Sequence, residues 1–201
     1  MKRFVCALCF LLVTTCFGLA QNRADATDVA QDNFDADFPS GGLLRLHIRS
    51  GELKIIGSNE NKIKVRFWGK NAAEVRDVKI SLKTLGNAGD LRVHGGPHYT
   101  FQIEITVPKA SDLFLRMPAG EAEVKGIVGN KDIAMHAGDL TLAVGAPEDY
   151  ALADASVLAG DLDASPFGIS KDGLFRSFHK QGAGKYTLRA HVGAGELTLR
   201  Q

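Results

Sequence analysis

The chain has 201 residues, with 24 Lys and Arg against 23 Asp and Glu, a net charge of +1. No run of basic residues stands out, which argues against a nucleic-acid surface. All three cysteines, Cys6, Cys9 and Cys16, fall within the first twenty residues, so the rest of the fold must hold by its core and backbone hydrogen bonds, without a disulfide.

Residues 1–20 read as a secretory signal peptide: Lys2 and Arg3, then an apolar run from Phe4 to Phe17, then Gly18-Leu19-Ala20 as the small-residue cleavage site. The run is short for a membrane span, which takes about 20 apolar residues. An uncleaved anchor and a lipid anchor at Cys16 are the alternatives. Cleavage leaves 181 residues, enough for one domain with a sizeable core. The destination is the periplasm, the cell surface or the medium. Residues 21–37 are acidic, with Asp25, Asp28, Asp32, Asp35 and Asp37, and show no period; they read as a flexible lead-in. The folded domain is expected over 38–201.

From Leu44 the pattern is alternation. Leu44, Leu46 and Ile48, then Ile63, Val65 and Phe67, then Val78, Ile80 and Leu82 are apolar at every second residue. So are Phe101 to Val107, Leu113 to Met117, and Leu188 to Val192. Period two buries one face of a strand and wets the other. One short helical stretch is expected at 71–76.

A small residue, a glycine and an acid recur ahead of alternating residues. The copies are Ser50-Gly51-Glu52, Ala88-Gly89-Asp90, Ala119-Gly120-Glu121, Ala137-Gly138-Asp139, Ala159-Gly160-Asp161 and Ala194-Gly195-Glu196, with Ala183-Gly184-Lys185 as a degraded seventh. Glycine permits a sharp turn, the small residue fits a crowded corner, and the acid stays in water. Strands meeting at such corners gain stability by stacking on neighbouring copies. The expected fold class is all-β: a stacked short-strand β-solenoid or β-roll, with longer strands and hairpins in the N-terminal half. A β-sandwich is the alternative.

These residues resemble the putative adhesin family of exported bacterial proteins. Phe38-Pro39-Ser40-Gly41-Gly42 leading to Ser50-Gly51-Glu52-Leu53-Lys54-Ile55-Ile56-Gly57 is similar to the opening of such domains. Ile103 to Lys109 resembles the family's strand ending in Val-Pro, and the later Gly-Asp-Leu and Gly-Glu-Leu copies resemble its coils. The likeness spans about 38 to 201. It implies the fold and export, and carries no catalytic motif, so no functional residue is transferred.

No catalytic, cofactor-binding or metal residue is assigned from the sequence. Calcium-binding rolls need more oxygens per turn than one acid supplies. His94 and His98 sit four apart around Gly95-Gly96-Pro97, which cannot be helical, so they read as exposed loop residues. His47, His136 and His191 fall on the wet side of their strands. Asp139, Asp161 and Glu196 would form a ladder if their strands are in register, the one arrangement that could serve a polysaccharide-cleaving enzyme. Trp68 is expected to face outward or cover a strand end. Residues 165–181, with Phe167, Phe175 and Phe178, read as an irregular insertion and the first place to look for a partner contact. The leading expectation is a non-enzymatic cell-envelope scaffold or binding protein, meeting an envelope protein or glycan. The alternatives are a polysaccharide-acting enzyme and a self-associating structural element.

Overall fold

The computed structural model describes residues 33–68, 77–96 and 101–201. The leader, residues 21–32, the helical expectation at 71–76 and His98 lie outside them. The chain is all-β, as its alternation predicts. The strands are β1 (Asn33–Asp37), β2 (Leu43–Ile48), β3 (Glu52–Ser58), β4 (Lys62–Trp68), β5 (Lys79–Leu85), β6 (Ala88–His94) and β7 (Gln102–Pro108). Then follow β8 (Asp112–Lys125), β9 (Lys131–Ala143), β10 (Tyr150–Ala164), β11 (Ile169–Gln181) and β12 (Tyr186–Arg200). Among the described residues the helical turns are two single 3-10 turns, Pro147–Asp149 and Ser165–Phe167.

The strands form one open sheet, ordered β1-β4-β7-β3-β8-β9-β12-β10-β11, with β2 and β6 branching from β8 and β5 pairing β6. β8, β9, β12 and β10 run parallel and in register. Each bends at its glycine, and the bend shows in the burial. In β8, Leu113, Leu115 and Met117 are buried, then Ala122 and Val124. The buried phase switches from odd to even across Gly120, so both arms of the strand turn their apolar side to one shared core. β2 pairs with the first arm of β8 and β3 with the second, on either side of Gly51. The alternating apolar residues read from the sequence, Leu44 through Val192, all lie in that core.

The corner glycines stack into a column. Gly120, Gly138, Gly195 and Gly160 have φ of 126°, 114°, 137° and 131°. A Cβ on each would sit 2.2, 1.9, 2.1 and 1.9 Å from the carbonyl oxygen of Gly51, Gly120, Gly138 and Gly195 respectively. Both the backbone angle and the close approach therefore exclude a side chain.

Four expectations need correction. The longer strands are in the second half, at 13 to 15 residues, because each strand continues through its glycine corner. First-half strands β1 to β7 have 5 to 7 residues. The last part of the lead-in is β1, paired antiparallel with β4, with Phe34 and Ala36 against the core. Residues 169–181 are a strand, antiparallel to β10 from Ala164↔Ile169 to Leu152↔Gln181, with the pairing interrupted at Phe175. Finally, Gly89 is no corner. It lies within β6 opposite Leu44, and the Phe38 ring fills the place of its side chain, 2.8 Å from a would-be Cβ. Ala183-Gly184-Lys185 likewise precedes β12 and makes no corner.

Candidate functional site

The in-register stack turns single residues into rows, about 4.8 Å apart from strand to strand. On the outward side of the first arms the rows carry imidazoles and guanidiniums. His47 of β2 lies between Arg92 of β6 and Arg116 of β8. Arg116 faces Ala134, Ala134 faces His191, and His191 faces Ser156. His94 and His136 follow two residues on, and His179 of β11 lies opposite Asp154. All five described histidines are therefore on one side of one arm, because strand phase places each opposite a buried neighbour. The expectation that His47, His136 and His191 face outward holds.

A groove of about 560 Å³ crosses β6, β2, β8 and β9 at this place. Arg92, His94, His47, Arg116 and His136 line it together with Ile48, Val93, Met117, Pro118 and Ala134. Two acids hold the groove's basic side chains. Arg92 Nε donates to Asp90 Oδ1 at 2.8 Å, and His47 Nε2 is 3.6 Å from Asp90 Oδ2. The hydrogen bond from Arg92, helped by the charges of Arg92, His47 and Arg45, holds the Asp90 carboxyl below the usual carboxylate range. Arg116 donates from Nη2 to Asp132 Oδ1 (2.6 Å) and from Nη1 to the carbonyls of Leu115 (2.8 Å) and Asp132 (3.0 Å). Its guanidinium also lies 3.6 Å over the Phe114 ring. These donors are held in place before any ligand arrives.

The outward side of the second arms is acidic instead. Glu52, Glu121, Asp139, Glu196, Asp161 and Asp172 form a continuous row. Asp139, Glu196 and Asp161 are thus adjacent, as a register match would require. At least one of these acids also serves the backbone, since Asp139 Oδ1 accepts the N–H of Glu196 at 3.1 Å. The row begins at Trp68, about half exposed, whose Nε1 donates to Gln102 Oε1; Gln102 Nε2 donates in turn to Glu52 Oε2 at 2.8 Å. Trp68 therefore faces outward and is locked by hydrogen bonds.

Two arrangements escaped the sequence reading. Ser156 Oγ and His191 Nδ1 are 2.8 Å apart on the exposed first arm. A Ser–His nucleophile also needs a third group to orient the imidazole, and no described carboxylate bonds His191. The other is Lys131, 1% exposed, between Leu113 and Leu188 in the core. Its Nζ donates to the Gly129 carbonyl (3.2 Å) and to Tyr150 Oη (2.9 Å), and Tyr150 donates to the Val144 carbonyl (2.8 Å). Burial, opposed by the charges of Asp112 and Asp149, pulls the Lys131 amine down to about 8. Burial, with the charges of Asp149 and Tyr186 adding to it, pushes the Tyr150 hydroxyl up to about 12. The phase that Lys131 shares with Ile133 and Met135 was the available signal.

Among the described residues no group of three or more His, Cys, Asp or Glu side chains is placed to hold a metal ion. No described helix is long and apolar enough to cross a membrane.

No protein-family model and no curated protein matches the sequence. Among solved structures, the chain is similar to a putative cell adhesion protein from Clostridium sporogenes. The identity is 13% and the TM-score 0.54, over 84% of this chain and 98% of that one. A putative adhesin from Bacteroides fragilis aligns over 83% of this chain and 95% of that chain, at 10% identity and a TM-score of 0.25. The first likeness places this all-β fold among solved proteins.

Proposed function

We propose that this chain is an exported, non-enzymatic binding protein of the cell envelope, adhesin-like in its mode of action, and that it meets its partner on the outward side of the first arms. The observation that carries this reading is the groove across β6, β2, β8 and β9. Its arginines are already oriented by Asp90 and Asp132, and apolar residues share its lining. Preorganised donors lose little freedom on binding, so many weak contacts add up to useful affinity. The name given to the Clostridium sporogenes neighbour points the same way, and the signal-like first twenty residues supply the route to the envelope.

The test is binding of the purified chain to a panel of envelope glycans and isolated envelope proteins. The expected result is saturable binding weakened about tenfold or more by Arg92→Ala together with Arg116→Ala, and unchanged by Glu196→Gln. Binding insensitive to the arginine pair would move the site elsewhere. Glycan cleavage that depends on Asp139, Glu196 or Asp161 would replace the reading with an enzymatic one.

A further inference from the structure

We infer that the chain pairs with a second copy of itself through the outer edge of β11. β11 ends the path of the sheet, and its described pairing is with β10 alone. An open strand edge offers backbone donors and acceptors to another strand. This edge has an unusual shape, because β11 bends as β10 does. Gly173, with φ of 108°, lies opposite Gly160. A straight strand can follow one arm or the other, but not both. A second β11 carries the same bend. A two-fold axis along the bisector of the corner lays the two edges antiparallel, corner against corner, and carries each arm onto the other.

Three further features meet at that corner. Leu158, Leu174 and Phe175 are 48%, 62% and 76% exposed, half of the large exposed hydrophobics among the described residues. Phe175 has φ of 56° and is the one non-glycine residue with positive φ among the described residues. Such a conformation is strained for a residue with a side chain, and here it holds a phenyl ring out in water. Arg176 lies across Gly173, and its Nε is buried without a hydrogen-bond partner. A strained backbone and an exposed apolar cluster describe a surface whose complement is missing. A second copy supplies it, since two-fold pairing brings the two apolar clusters together and closes the assembly at two chains. Lys171 Nζ, which now donates to the Ser177 carbonyl at 2.6 Å, would give way to a backbone donor.

Sedimentation equilibrium of the purified chain, from about 1 to about 200 µM, reads the association directly. A monomer–dimer equilibrium is expected, and Phe175→Asp should weaken it at least about tenfold. Leu85→Asp, at an equally exposed residue on β5, should leave it unchanged. Phe175→Gly separates the two roles of this residue: it should raise the thermal midpoint of the dilute protein by releasing strain, and weaken dimerisation. It also carries the test if Phe175→Asp does not fold. Amide exchange across Ile169–Gln181 should slow as wild-type concentration rises. A wild-type chain that stays monomeric throughout overturns the inference. So does a dimer that survives Phe175→Gly, or one whose protection appears on β5 while β11 stays unprotected.

Discussion

In β8, β9, β10 and β12 a single strand supplies both arms by turning at a glycine. In the first half separate strands do the same work: β6 lies on the first arm beside β2, and β7 on the second beside β3. Both halves bury their apolar residues in one cluster. The shared core therefore needs only alternation, whereas an unbroken strand through the corner needs glycine stacked on glycine. Sequence freedom should differ accordingly between the two regions.

The largest effect should come from breaking the column. Gly138→Ala forces a Cβ at φ 114° to within 1.9 Å of the Gly120 oxygen, backbone that cannot yield alone. A loss on the order of 4 kcal/mol, or failure to fold, is expected in denaturant unfolding. Next comes Lys131, at the start of β9 in the stack. Burial favours its neutral form, so between about pH 8 and its ordinary value of 10.5 the unfolded chain holds a proton that the folded chain has released. Stability should therefore rise with pH from about 8 towards 10, by up to about 3 kcal/mol. Above 10 Tyr150 opposes this. Its hydroxyl is held protonated up to about 12, and the stability it lends is lost between 10 and 12. Lys131→Met should flatten the rise while leaving the Tyr150 limb, as urea midpoints across pH would report.

The first half supplies the gentler members of the comparison. Gly89→Ala keeps ordinary backbone and must displace the buried Phe38 ring and shift Leu44 Cδ1 slightly, for about 2 kcal/mol. Gly86→Ala, at φ 60° in open space before β6, should cost about 1 kcal/mol from backbone conformation alone. Thermal melts that put Gly86→Ala and Gly138→Ala on a par would remove the distinction between the two regions.

The alternation was legible because burial acts residue by residue: Ile63, Val65 and Phe67 announce β4 without any knowledge of their partners. The corners at Gly51, Gly120, Gly138, Gly160 and Gly195 were legible for a similar reason, each being set by local backbone. Gly89 was misread because its cause is remote, a ring 51 residues earlier in the chain. Gly173 was missed for a reason of direction. β11 runs antiparallel to β10, so it passes the corner from the other arm and its acid, Asp172, comes before the glycine instead of after it. The groove was out of reach altogether. Arg92, His47, Arg116 and His136 are brought side by side by register, which no single strand encodes.

The sheet order has a consequence for how the protein comes together. β12 follows β10 and β11 in the chain, yet it lies between β9 and β10. A polypeptide emerging from its amino end cannot close this gap early. β9 and the β10–β11 hairpin stay separate, each with a bare flank, until β12 threads between them and joins both at once. Assembly of this part of the sheet is thus deferred until β12 is present, which makes β12 the keystone that joins β9 to β10.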